Sequence, residues 1–158
     1  MNSSMLVLWR EKIKIIEKNE ARFNSKLNAG ASNEEIRALN LKFNMKHNYP
    51  LPKEYLEILK VINGIDYNGF VLYGADSELL LDKPNQEIQG VIDSNVVWYE
   101  FVDPEKKYIF LGDDSISFYV YERATEKYWI IDRPSTDPIE EYQTVDELFN
   151  EMLTTALL

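Results

Sequence analysis

The chain contains no cysteine and a single histidine, His47. Without thiols there is no disulfide framework and no thiolate nucleophile. With one imidazole and no thiolate there is no ligand set for a zinc site. No apolar run approaches the ~18 residues that a membrane-spanning helix needs. The opening stretch MNSSMLVLWREKIK offers only Met5 to Leu8 before Trp9 and a run of charges, too short an apolar segment for a secretory leader. Internal repeats and low-complexity tracts are also missing. These absences give the expectation of a cytoplasmic protein with no membrane association.

What is present is ordinary in amount and uneven in placement. At 158 residues, 45% hydrophobic and 28% charged, the chain has the size and composition of one globular domain, long enough to bury roughly 70% of its unfolded surface. The formal net charge is -10. Residues 1–49 carry nine Lys/Arg against five Asp/Glu, whereas residues 50–158 carry eight against twenty-two. An acidic body steers a basic partner toward itself and repels nucleic acid. The plainer reading is a solvated acidic surface with a basic N-terminal helix folded against it.

Leu6, Trp9, Ile13, Ile16, Phe23 and Leu27 recur at helical spacing, a seam along one long helix that Ser4 can cap and Asn28-Ala29-Gly30 can end. The seam docks on the chain's own sheet or on a neighbouring helix. The other reading makes it a homodimer or partner helix. Ser32-Asn33-Glu34-Glu35 is a capping box, opening a second helix to about Lys46 with Ile36, Leu39 and Phe43 on one face. Pro52 then suits the first turn of a third helix, in which Tyr55, Ile58, Leu59 and Ile62 form the core stripe and Asn63-Gly64 the stop. Gly69 to Gly74 reads as a strand. Residues 75–85 read as a loop with a short strand, and residues 86–99 as a helix. Tyr108 to Leu111 is an apolar strand. Ile116, Phe118 and Val120 alternate with Ser117, Tyr119 and Tyr121 at the period of a strand. Tyr128 to Ile131 returns as its hairpin partner after a loop of three to five residues. Thr144-Val145-Asp146-Glu147 caps a last helix with Val145, Leu148, Phe149 and Met152 inward. Helices, then an antiparallel meander, then a helix make an α+β domain.

The stretch LPKEYLEILKVINGIDYNGFVLYG, with Tyr108-Ile109-Phe110-Leu111-Gly112-Asp113-Asp114 and the helix after Tyr142-Gln143-Thr144, resembles the SMI1/KNR4 (SUKH) superfamily, in its YrhA-like bacterial branch. The resemblance covers about residues 33–158. It leaves 1–30 as an N-terminal helical extension of a single domain spanning 1–158. It implies helices packed on one side of a curved, mostly antiparallel sheet. It also implies a protein-binding module: an immunity protein that neutralises a cognate toxin by binding it, or a regulatory scaffold such as the family's fungal members resemble.

The inventory of reactive groups points away from catalysis, and from any cofactor or metal. His47 at a helix end reads as a terminal cation or a packed ring. Ser115 and Ser117 lack a nucleophile elbow. Gly112-Asp113-Asp114-Ser115 has one glycine and two acids, which is no phosphate cradle. Adjacent acids on an extended chain point to opposite faces, so Asp113 and Asp114 form no dyad unless the backbone turns. The ten tyrosines are more informative, because rings bury much area at small entropic cost in protein recognition. Charge and expected exposure nominate Asp66, Tyr67, Asp76, Glu78, Asp113, Asp114, Tyr119 and Tyr121 as contacts. The partner they suit is a basic toxin domain, such as a nuclease whose cleft holds phosphates. The tyrosines can equally cover the outer face of a sheet with their hydroxyls in water.

Overall fold

The computed structural model describes residues 3–81 and 86–158, with side chains from residue 8 onward. The Leu6 side chain falls outside the described ones, and the first helix already begins at Ser3, so Ser4 lies inside it and not at the expected N-cap. Among the described residues the fold is α+β, five α-helices and a six-stranded antiparallel sheet. One apolar core runs from Trp9 to Leu153.

The first three helices follow from their apolar faces and end signals. α1 (Ser3–Ala21) buries Trp9, Ile13 and Ile16. It stops at Ala21, short of the expected seam, because the four residues between Ile16 and Ala21 offer no further apolar anchor and Asn24 turns left-handed at φ 58°. Phe23 is left 81% exposed, while Leu27 returns to the core from the loop. α2 (Asn33–His47) carries the complete capping box: Ser32 Oγ accepts the Glu35 N–H at 3.1 Å, and Glu35 Oε1 accepts the Ser32 N–H at 2.8 Å. α3 (Lys53–Val61) buries the full stripe of Tyr55, Ile58 and Leu59, with Ile62 just beyond its end. Gly64 takes φ +84° two residues after the cap, a conformation only glycine adopts without strain.

The sheet is a meander, β1 (Ile65–Tyr67), β2 (Phe70–Leu72), β3 (Tyr108–Asp113), β4 (Ser117–Glu122), β5 (Tyr128–Asp132) and β6 (Pro138–Tyr142), each paired antiparallel with the next. β1 and β6 go beyond the strands read from sequence. β1 pairs through Asn68-Gly69, both at positive φ, a two-residue hairpin turn that those two residue types favour. β6 is an edge strand, and its proline and its acids Glu140 and Glu141 suit an edge, where unpaired strands must be discouraged. The segment Ser77–Leu79 forms a 3-10 turn in place of the expected short strand. α4 (Val91–Phe101) begins at Gly90, so residues 86–89 are loop where helix was expected.

Two helices attach to the sheet by different means. α5 (Val145–Ala156) lies against β5 and β6, and α1 packs on α5. The α1 seam therefore docks within its own chain: the Trp9 ring packs tilted against Phe149, 5.1 Å between centroids, and donates its indole N–H to Asp146 Oδ1 at 2.8 Å. α4 instead lies along the first part of β3, which the short β2 leaves unpaired because it reaches only Gly112 and Asp113. Asn95 accepts the Phe110 N–H at 2.8 Å and donates to the Phe110 carbonyl at 2.9 Å, much as a neighbouring strand would. Tyr99 donates its hydroxyl to the Tyr108 carbonyl at 2.7 Å, and Asp103 accepts the Tyr108 N–H at 2.9 Å. The edge groups of Tyr108 and Phe110 are thereby satisfied, as buried backbone must be.

Candidate protein-binding surface

The nominated residues separate into internal braces and external groups. Asp114 folds its own turn: Oδ1 accepts the N–H groups of Ile116 at 2.9 Å and Ser117 at 2.8 Å, and Oδ2 accepts the Tyr119 hydroxyl at 2.6 Å. Asp113 accepts the Tyr73 hydroxyl and meets Arg133 at 3.4 Å. Tyr73 in turn accepts the Trp98 indole N–H at 2.9 Å, so this chain of bonds pins α4 to the sheet. Burial pushes the Asp113 carboxyl up from its ordinary range, with the Tyr73 and Arg133 contacts opposing the shift.

The outward tyrosine face expected at Tyr119 and Tyr121 is a correction. Both rings are buried, as are Phe118 and Val120, which alternate with them along the strand. β4 is a central strand covered on both faces, so alternation here separates two interiors and not core from solvent. Tyr121 packs 5.2 Å from Tyr128 and 6.4 Å from Tyr49. Tyr99, on α4, is buried as well. Asp113, Asp114, Tyr119, Tyr121 and Asp76 all lack the exposure on which they were nominated.

Asp76 is 1% exposed and acts as a cap supplied from another segment. Its oxygens accept the N–H groups of Ile92 at 2.9 Å and Asp93 at 3.0 Å, at the start of α4 where Gly90 brings no capping side chain. Gly90 is required for this approach, since a Cβ there would lie 2.0 Å from Asp76 Oδ2. Burial raises the Asp76 carboxyl to about 6, against the pull of the two amides.

Three nominated residues remain at the surface. Asp66 and Glu78 are exposed, and Tyr67 is half-buried with its hydroxyl accepting from Asn19 at 2.8 Å. Around them the fold gathers acids that sequence reasoning passed over. Glu87 lines a groove of about 270 Å³ with Asp66 beside β1. Asp93 comes within 4.8 Å of Glu78 and Asp76, counted between carboxylate oxygens. The short bridge between Gly74 and Gly90 holds these segments side by side. Among the described residues, Asp66, Glu78, Glu87 and Asp93 have no cation within ion-pair distance. The result is an unneutralised acidic rim drawn from four segments. Only its charge was visible beforehand, because the Gly74–Gly90 bridge has no signature in the sequence.

The set Asp76, Glu78 and Asp93 is the one group of carboxylates among the described residues close enough to share a cation. A metal there would compete with the two α4 amides for Asp76. His47 is a packed ring: it sits 4.7 Å from Phe43 and 5.2 Å from Tyr99, with Nε2 3.2 Å from the Ile92 carbonyl. Burial lowers its proton affinity, and Lys106, Arg123 and Lys46 lower it further, while the Ile92 bond opposes them. No helix among the described residues is long and apolar enough to cross a membrane. No protein-family model and no curated protein matches this sequence.

Proposed function

We propose that this chain is a non-enzymatic protein-binding module of the SMI1/KNR4 (SUKH) kind, an immunity protein that occludes the active site of a basic toxin domain. The observation that carries the reading is the acidic rim of Asp66, Glu78, Glu87 and Asp93, exposed and without cation partners among the described residues. Unpaired surface carboxylates offer a field that a phosphate-binding cleft complements. The α+β architecture is also the one that the family resemblance implies.

The test is to capture the partner from lysate of the source organism, then to measure its association with the wild type and with an Asp66→Lys/Glu78→Lys variant. Electrostatic steering predicts association slowed about tenfold or more at low salt, with the two proteins converging at high salt. Failure to capture a stoichiometric basic protein, or identical association rates, would contradict the reading.

A second reading is a regulatory scaffold not tied to a toxin. It is favoured by the outer face of α1, where Leu8 and Ile15 stand one above the other and about half exposed. Capture of several host proteins, lost on Ile15→Lys, would support it over the first.

A further inference from the structure

The two turns of the C-terminal meander are built to one plan. In the first, the Glu126 N–H is donated to the Glu122 carbonyl at 2.9 Å, and the Glu122 N–H to the Lys127 carbonyl at 2.8 Å. In the second, Thr136 and Asp132 donate to Asp132 and Asp137 in the same way, both at 2.9 Å. Thr125 bonds the Glu122 carboxylate at 2.7 Å, and Ser135 bonds that of Asp132 at 2.8 Å. In each turn the residue after the first acid is an arginine lying on two aromatic rings. Arg133 stands 5.3 Å from both Trp98 and Phe118, and Arg123 stands 4.8 Å from Tyr49 and 5.5 Å from Tyr99.

The two charges are answered differently. Arg133 meets Asp113 at 3.4 Å and donates to the Asp114 carbonyl at 2.5 Å. Arg123 has no carboxylate at ion-pair distance among the described residues. It donates one bond to the Tyr99 hydroxyl at 2.8 Å, and its Nε–H is enclosed without a partner. Lys106 is exposed, 5.7 Å over the same Tyr99 ring, and it too has no carboxylate at ion-pair distance among the described residues. Lys46 lies close enough, with Lys106 and Arg123, to act on His47. Asp103, the acid that bears on Tyr99, is held by the amides of Lys107 and Tyr108. In a chain of net charge -10, Lys46, Lys106 and Arg123 have no carboxylate at ion-pair distance among the described residues.

We propose that Tyr49, Tyr99, Lys106 and Arg123 form a binding site for a dianionic oxyanion, phosphate itself or the phosphomonoester group of a small molecule. The rings cover the guanidinium on its faces, the Nε–H is enclosed and Nη2 is shared with Tyr99, so the Nη1 end is the part left for an oxyanion. Lys106 supplies the second charge that a dianion answers better than a single carboxylate does. The site uses none of the acids of the proposed partner surface, so either reading can fail alone.

The lone histidine makes the test direct, because His47 gives the chain's one set of imidazole C–H signals in a proton spectrum and lies against Tyr99. Inorganic phosphate, and in a second arm phenyl phosphate, are titrated at constant ionic strength and pH against the His47 and Arg123 Nε–H resonances. The expected result is saturable movement of both signals, with affinity on the order of 1 mM. Equal affinities assign the site to phosphate alone, and tighter binding of phenyl phosphate assigns it to an ester. Lys106→Gln, an exposed change that keeps the fold, should weaken binding about tenfold, the size of one charge-assisted contact. Arg123→Gln should abolish it. No movement at tens of millimolar phosphate, or unaltered binding by Lys106→Gln, would overturn the proposal.

Discussion

α1–α5 and α4 are both helical attachments to one sheet, yet they are held by opposite chemistry. The α1–α5 pair meets through apolar stripes, with Trp9, Ile13 and Ile16 on one side and Phe149 among the residues on the other, and the Trp9–Asp146 bond is its buried polar contact. α4 is held by side chains that imitate or cap backbone: Asn95 on Phe110, Tyr99 and Asp103 on Tyr108, and Asp76 on its own first turn. An apolar stripe is tolerant, since any large hydrophobic residue of similar volume fills it. A buried polar brace is not, because each missing partner strands a desolvated group. The contrast explains why the acids of this protein mislead when read as surface. Several of them are the joinery of α4 and its neighbours.

The comparison can be broken first at its apolar side. Trp9→Ala should cost about 3–5 kcal/mol in urea unfolding, from the lost ring and the cavity. Trp9→Phe should cost less, about 1–3 kcal/mol, chiefly from the Asp146 oxygen it leaves unbonded. A Trp9→Ala variant as stable as the wild type would mean that α1 does not pack on α5 in solution.

The polar side is tested by Asn95→Leu, which keeps volume and hydrophobicity but removes both bonds to Phe110. It should destabilise by about 2–4 kcal/mol, the cost of stranding a buried N–H and a carbonyl. Amide exchange of Phe110 should accelerate along with it. Were a leucine accepted here at no cost, the strand-mimicking role of Asn95 would be wrong.

Smaller effects come from two titrating groups with opposite signs. The folded chain holds His47 below its ordinary value of 6.5. As pH falls through 6.5 the unfolded chain therefore takes up the proton first, and stability is lost. Asp76 is raised from 3.8 to about 6 in the folded chain. As pH falls through 6 toward 3.8 the folded chain takes up the proton first, and stability is gained. Between pH 7.5 and 5, His47→Gln should lose less stability than the wild type, and Asp76→Asn should lose more. Urea midpoints across that range decide it, and the reverse order would contradict both assignments.

How much of this was legible in the sequence follows the same division. The capping box at Ser32, the stripe of α3 and the apolar face of α5 all lie where local spacing put them, and Thr144 caps α5 while Glu147 returns to its hydroxyl and not to its N–H. Local rules suffice there, because a cap and a stripe are read within a few residues. The Asn68-Gly69 hairpin was equally local, and the signal was present. Asn95, by contrast, contacts Phe110 fifteen residues away, and Asp76 caps a helix sixteen residues further on. Nothing in a window around either residue announces such partners. The tyrosine face of β4 misleads for a related reason, since alternation tells two faces apart without saying whether the second is wet. The candidate site shares this limit: Asp66 and Glu78 were chosen for charge, while Glu87 and Asp93 join them only through the Gly74–Gly90 bridge.

The most direct measurement is a side-by-side thermal unfolding of three variants, because the account rests on dividing the acids into braces and rim. Asp114→Ala should lower Tm by about 6 °C or more, having removed the acceptor for two amides and the Tyr119 hydroxyl. Asp66→Lys and Glu78→Lys should each stay within about 2 °C of the wild type, as surface changes do. If the Asp114 variant melts with the wild type while the rim variants fall, the division is the wrong way round.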